Sequence, residues 1–97
     1  RAAALWPNYP NPFNPETWVP FSVTEQGAVA MSVFAADGST VRVLHLGVQA
    51  AGDHHNRARA AYWDGRNANG EPAPSGMYFY RLQSPAGSAT GRMVIAK

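Results

Sequence analysis

Short segments in which apolar and polar residues alternate, turn signals about every 8 to 12 residues and no sustained helical periodicity together predict an all-β chain. The specific expectation is an immunoglobulin-like antiparallel β-sandwich of about seven strands. Composition agrees: the 97 residues include 9 Gly and 8 Pro, with 11% aromatic and only 14% charged residues, a turn-rich balance that suits strands better than a helical bundle. At 45% hydrophobic content the chain can bury a core, and without cysteine that core has no disulfide to staple it.

The strands follow in order. "TWVPFSV" sets Val19, Phe21 and Val23 on one side, with Pro20 removing a ladder donor, so this strand is expected at an edge or paired on one side only. "AVAMSVFA" places Val29, Met31 and Val33 on one face and ends in "ADGS", the Asp-Gly signal of a tight hairpin. In the return strand "TVRVLHL", Leu44 breaks the alternation of Val41 and Val43, which predicts a bulge near Val43–His45. "GVQAAGDHHN" reads as a loop and "RARAAYWDG" as a strand with Ala61 and Trp63 inward, Arg59 at the sheet margin and Arg57 on the same face. After the turn-rich "DGRNANGEPAPSG", the strand "MYFYRLQ" alternates Tyr78, Tyr80 and Leu82 against Met77, Phe79 and Arg81, and "RMVIAK" is a final strand. The predicted core is Val19, Phe21, Val29, Met31, Val33, Val41, Leu44, Trp63, Tyr78, Tyr80, Leu82, Met93 and Ile95.

The opening "NYPNPFNPET" holds three prolines, three asparagines and two aromatic rings. Prolines exclude a helix and stiffen the chain, while Tyr9 and Phe13 are groups a flexible linker does not need. The stretch is expected to lie as a strap along one end of the sandwich, anchored by Phe13 and Tyr9, with the asparagines bonding local backbone. "RAAALW" reads as the end of a linker, so residues 1–4 are assigned to the linker and 5–97 to the module. On this reading any export signal lies upstream.

Little catalytic chemistry is on offer. The chain has no cysteine and no G-x-S-x-G elbow. His54 and His55 are adjacent and, with Asp53, are expected to be solvated rather than metal-bound. "DGRNANG" matches the middle of a calcium loop but puts Gly65 and Gly76 where its first carboxylate and closing glutamate belong, so Asn-x-Asn-Gly is read as turn geometry. A formal charge of +2, with seven of eight cations arginine, is too small a surplus to point to nucleic acid, and no apolar run is long enough to form a transmembrane segment. Among the aromatics, Trp18 and Phe79 fall on the outward sides of their strands and are the candidate exposed rings, whereas Trp63 is assigned to the core.

"NYPNPFNPETWVPF", "VFAADGSTVRVL", "WDGRNANG", "SGMYFYRL" and "RMVIAK" together resemble a family of immunoglobulin-like C-terminal modules on exported bacterial proteins. That family includes the type IX secretion sorting domains and is related to the immunoglobulin-like domain of the flagellar hook-cap protein. The likeness runs from about Leu5 to Lys97. Its opening motif falls on Asn8, Tyr9, Pro10, Asn11, Pro12, Phe13, Asn14, Pro15 and Thr17, and its core and turn positions on Gly38, Trp63, Asp64, Gly65, Gly70, Ser75, Gly76, Tyr78 and Leu82. The terminal strand supplies Arg92, Met93 and Lys97 as candidate sorting contacts. The chain departs from the family in the longer "DHHNRARAAY", in Ala61 for an inward valine, in Phe34 and Ala35, and in Pro20.

The resemblance implies a module without catalysis or cofactor that ends a larger exported protein. Its partners would be the outer-membrane secretion machinery and neighbouring domains of the same chain, and its location the outer-membrane surface or the extracellular space. A partner is expected to read an exposed strand edge or the carboxyl-terminal strand by β-augmentation, with Arg92 and Lys97 supplying charge. The alternatives are an ancillary carbohydrate-binding or adhesion module with a polysaccharide ligand, predicted to depend on Trp18, and a structural spacer or assembly domain.

Overall fold

Nine β-strands make up the regular structure of the computed structural model, which describes residues 2–97; no helix occurs among those residues. They are β1 (Ala3–Leu5), β2 (Thr17–Val19), β3 (Phe21–Val23), β4 (Gly27–Ala35), β5 (Thr40–Gln49), β6 (Gly52–His54), β7 (Ala61–Trp63), β8 (Gly76–Ser84) and β9 (Gly87–Ile95). One layer is a four-stranded antiparallel sheet in the order β5-β4-β8-β9. The facing layer is built from two pieces, β1-β3-β6 and β2-β7, also antiparallel.

Nine strands reduce to seven strand paths, the number expected from the sequence. Pro20 separates β2 from β3, and a turn over Asn56–Ala60 separates β6 from β7. A proline has no amide to give, and here it marks the point at which the chain passes from β7 as partner to β1 and β6. Its carbonyl is used: the Trp6 amide donates to it at 3.1 Å.

The core lies between the layers. Val19, Phe21, Val23, Ala61 and Trp63 meet Val29, Met31, Val33, Tyr78, Tyr80, Leu82, Met93 and Ile95, all buried, with Val41 and Leu44 packed at the margin. Eleven of the thirteen predicted core positions are therefore buried in the core and Val41 and Leu44 pack against it, and the two-residue period that marked them is what turns alternate side chains to one face.

Four details differ from the sequence reading. "GVQAAGDHHN" is not a loop, because β5 continues to Gln49 and Gly52–His54 pairs with β3. "RAR" is a turn held by the Arg59 and Ala60 amides on the Asn56 carbonyl, so Arg57 and Arg59 do not share a strand face. The ladder slips at Val41 and Leu46, either side of the expected bulge, because register is set by the partners Val33 and Val29. Finally, Ala3 and Ala4 belong to β1, paired with Val23 and Ser22, so the folded unit includes positions that the sequence assigns to the linker.

Candidate functional site

The strap binds the two layers together at one end of the sandwich. At its start the Tyr9 and Trp18 backbones exchange two hydrogen bonds of 2.9 Å, which adds Tyr9 to the side of β2. Further on, the Phe13 amide donates to the Val94 carbonyl at 3.0 Å and the Ala96 amide donates to the Phe13 carbonyl at 3.1 Å, adding Phe13 to the outer edge of β9. Asn11 completes this seam by accepting the Val94 amide through Oδ1 at 3.1 Å. The Tyr9–Pro10, Asn11–Pro12 and Asn14–Pro15 peptide bonds are cis. Phe13 is 2% exposed, edge-on to Trp63 with ring centroids 5.7 Å apart.

A buried polar group fixes the strap from below. Asn8 Nδ2 donates to Thr17 Oγ1 at 3.0 Å, and Thr17 Oγ1 in turn donates to the Pro10 carbonyl at 3.0 Å. Tyr9 is only half-buried; its hydroxyl donates to the His55 carbonyl at 2.7 Å. Pro12, Asn14 and Pro15 stay exposed.

The second motif block meets the first at one point. Gly65 has φ +79° and is buried against the strap, where a Cβ would overlap the Pro15 carbonyl oxygen. Only glycine meets both demands, a left-handed backbone and so close an approach. Around it, Trp63 Nε1 donates to the Arg66 carbonyl at 2.9 Å, and Asp64 Oδ1 accepts the Arg66 amide at 3.0 Å. The same carboxylate pairs with Arg42 of β5 at 3.1 Å, a half-exposed bridge between the layers of modest worth. Asn67 Oδ1 accepts the Asn69 and Glu71 amides, so the Asn-x-Asn-Gly run up to Gly70 is a self-capped turn, as expected.

The remaining motif positions are structural. Gly38, at φ +88°, closes the β4–β5 hairpin, beside an Asp37 carboxylate whose pKa is lowered by the Ser39 hydroxyl and amide it accepts. Ser75 Oγ accepts the Lys97 amide at 3.1 Å and Gly76 begins β8. Leu82 and Tyr78 are in the core, and the Tyr78 hydroxyl donates to the Pro74 carbonyl at 2.6 Å. Burial raises the Tyr78 and Tyr80 pKa values, the latter partly offset by the Asn8 backbone amide.

The candidate contacts separate. Met93 lies in the core and offers nothing to a partner, because position 93 of β9 points inward. Arg92 points outward beside Phe79, its cross-strand neighbour, and Lys97 lies exposed beyond β9. Phe79 is 41% exposed, on an outer face that it shares with Met77, Phe34 and Val94.

Trp18 is not a free ring. It lies half-buried on the opposite outer face, between Tyr9 and Tyr62 and beneath the Arg57 guanidinium. The exposed aromatics on that sheet are Trp6 and Tyr62, with Trp6 edge-on to His55. The solvated histidine pair is also corrected. His54 is buried with its ring stacked on Phe21, and Nε2 lies 2.8 Å from the Ala50 carbonyl, because β6 turns His54 inward and His55 outward. No cluster of three potential metal ligands occurs among the described residues.

The sequence profile of the FlgD Ig-like domain matches residues 19–88. The chain belongs to the FlgD Ig-like domain family. Among solved structures, this FlgD Ig-like domain superposes on PorU from Porphyromonas gingivalis, described as dimeric and latent, with a TM-score of 0.68 at 18% identity over 97% of the chain. It matches PorZ, a surface component of the type IX secretion system of the same bacterium, with a TM-score of 0.63 at 17% identity over 97%. FlgD from P. aeruginosa gives 0.66 at 21% identity, again over 97%. The chain spans 9% of the PorU chain, 12% of PorZ and 66% of FlgD. No curated protein sequence matches it. Identities this low make these likenesses of fold, and the fold they share is the immunoglobulin-like sandwich built above.

Proposed function

We propose that this FlgD Ig-like domain is a non-catalytic module of a larger exported bacterial protein, and that it serves as the C-terminal tag by which the outer-membrane secretion machinery sorts that protein to the cell surface. The observation that carries the reading is the likeness, along nearly the whole chain, to short portions of PorU and of PorZ, the latter a type IX surface component. A domain that recurs as a small part of much longer chains, one of them a surface component, is suited to be read by a partner rather than to act on a substrate. Its interior is filled by packed side chains and its strap is engaged in holding two sheets together, which leaves the outer faces to do the reading.

At the end of β9 the geometry favours the face over the edge. β9 has its edge at Val94–Ala96 covered by Phe13, so strand addition there requires displacing the strap. On the outer face, Phe79, Met77 and Arg92 form a group of the residue types that dominate protein interfaces, and Arg92 has no ion pair among the described residues. The partner surface is accordingly apolar with a carboxylate placed for Arg92.

The test places the chain behind a signal peptide and a fluorescent protein in a host with a type IX system. Fluorescence is expected at the cell surface or in the medium for the native sequence, and in the periplasm for Arg92→Glu with unchanged circular dichroism. Retention of the native fusion, or normal delivery of Arg92→Glu and Lys97→Glu alike, overturns the sorting role. The likeness to FlgD supports a second reading, a structural spacer or assembly domain, which expects no export phenotype from either change.

A further inference from the structure

The two sheets differ in the sign of their charge. None of the six Asp and Glu residues of the chain lies in β4, β5, β8 or β9, whereas the small sheet has Asp53 in β6 and Glu16 directly before β2. Glu25 and Asp37 stand in the turns at either end of β4, off the face of the large sheet. Of the large sheet's arginines, Arg42 turns to the other layer and is taken up by Asp64. Arg81 and Arg92 are exposed on the outer face, and neither has an ion pair among the described residues. They stand around one exposed ring. Arg92 is directly across from Phe79, and Arg81 is two residues along β8 from it, so the two arginines are diagonal neighbours about 7–8 Å apart across the β8–β9 pair. Phe34 lies across from Phe79 on its other side, and the Met77–Val94 pair forms the next row.

We propose that this corner of the outer face binds an extended acidic segment of a protein partner, one that carries two carboxylates at alternate positions beside an apolar side chain. The inference rests on the sorting reading's choice of this face, and adds Arg81 as a second contact and a spacing for the acids. In an extended chain, alternate residues point to one side and stand about 6.7 Å apart, which is close to the diagonal separation of the two arginines. A guanidinium takes a carboxylate through paired hydrogen bonds, so each arginine fixes one acid. Phe79, Phe34 and Met77 receive the apolar side chain between them, the aromatic and methionine contact that interface centres favour. With no acid in the four strands, nothing on this face competes for the arginines or attracts a basic partner. Beyond Arg81 the face continues through Ser32, Thr90, Gln83 and Ser88, all uncharged. Two arginines in one corner suit two carboxylates, whereas single-stranded nucleic acid calls for a continuous cationic track and an anionic bilayer for a larger basic cluster.

Panning a phage library of short random peptides on the purified 97-residue chain tests the proposal. The enriched sequences are expected to share Asp or Glu at positions i and i+2 beside an aromatic or aliphatic residue. A synthetic peptide of the enriched sequence should bind the native chain, with affinity lowered about tenfold by Arg81→Gln, by Arg92→Gln and by Phe79→Ala, and lowered by added salt. Tyr62→Ala, on the opposite face, should bind as the native chain does. All four positions are exposed, and circular dichroism confirms the fold of each variant. Enrichment of peptides without the acidic pair, no enrichment at all, or full affinity in Arg81→Gln overturns the proposal. So does tighter binding of the native chain to phosphatidylglycerol vesicles or to a single-stranded oligonucleotide than to the peptide. The selection involves no export, so a native fusion retained in the periplasm overturns the sorting role and leaves the peptide result standing, whereas correct sorting without an acidic pair among the selected peptides overturns this inference alone.

Discussion

The two sheets of this sandwich are held in place by different kinds of information. In the large sheet, strands of nine or ten residues form long ladders, interrupted only by the two slips between β4 and β5, and two of its three pairings are hairpins between chain neighbours. In the small sheet every strand has three residues, and the pieces are joined through Pro20, a turn and the strap. Backbone ladders that short contribute little by themselves, so the small sheet depends on side chains arriving from distant positions: Phe13 on Trp63, Asn8 on Thr17, and Gly65 against Pro15. One half of the molecule is specified locally and the other by long-range fit.

Removing the strap's anchor should expose that difference most strongly. Phe13→Ala empties a fully buried site between the layers, and about 3–5 kcal/mol is expected. In a domain of this size that corresponds to a fall in Tm on the order of 15 °C, readable by thermal or urea unfolding. Val43→Ala, on the outer face of the large sheet, should remain within about 0.5 kcal/mol of the native chain. A Phe13→Ala loss no larger than that of Val43→Ala would mean the strap merely decorates the sandwich.

Next in size is a pair of glycine changes that separates backbone conformation from close approach. Gly38 and Gly65 both have positive φ, but nothing lies within 4 Å of a Cβ at Gly38, while at Gly65 one would meet the Pro15 carbonyl. Gly38→Ala should cost about 1 kcal/mol. Gly65→Ala should cost clearly more, about 3 kcal/mol with strain and overlap together. Equal costs would show that the strap can give way at Pro15 without consequence.

The same division explains what could be read from the sequence. Val29, Met31 and Val33, the Asp37-Gly38 turn, and Tyr78, Tyr80 and Leu82 carry their period and turn signal within a few residues, and all were legible. The site of the ladder slips was not, because Val41 and Leu46 are bulged by the register of β4 and not by their own neighbours. The strap's shape was visible in its prolines and its rings, but its seat on Val94 lies at the other end of the chain. His54 was misread as solvated because nothing local marks it as the ring that stacks on Phe21. Of the candidate site, Phe79 and Arg92 were recognisable as outward positions by alternation. The grouping of Tyr9, Trp18 and Tyr62 was legible only as a set of residues, since Tyr9 comes from the strap, Trp18 from β2 and Tyr62 from β7, and alternation cannot show that Arg57 covers Trp18.

The smallest effect concerns the seam where the two sheets face each other. Tyr78 and Tyr80 belong to the large sheet, yet the first donates its hydroxyl to the Pro74 carbonyl in the loop that follows β7, and the second is met by the Asn8 amide of the strap segment. Burial raises both pKa values above the ordinary 10.0. Below that value both side chains are neutral in folded and unfolded chains alike, and their packing is fully retained. Above it the unfolded chain loses the protons first, so stability falls as pH rises through the folded-state values. Tm should hold nearly steady between about pH 8 and pH 9 and decline beyond about pH 10, and the decline should flatten in a variant carrying both Tyr78→Phe and Tyr80→Phe. An identical decline in that variant would place the alkaline weakness elsewhere and remove the tyrosine hydroxyls from the seam.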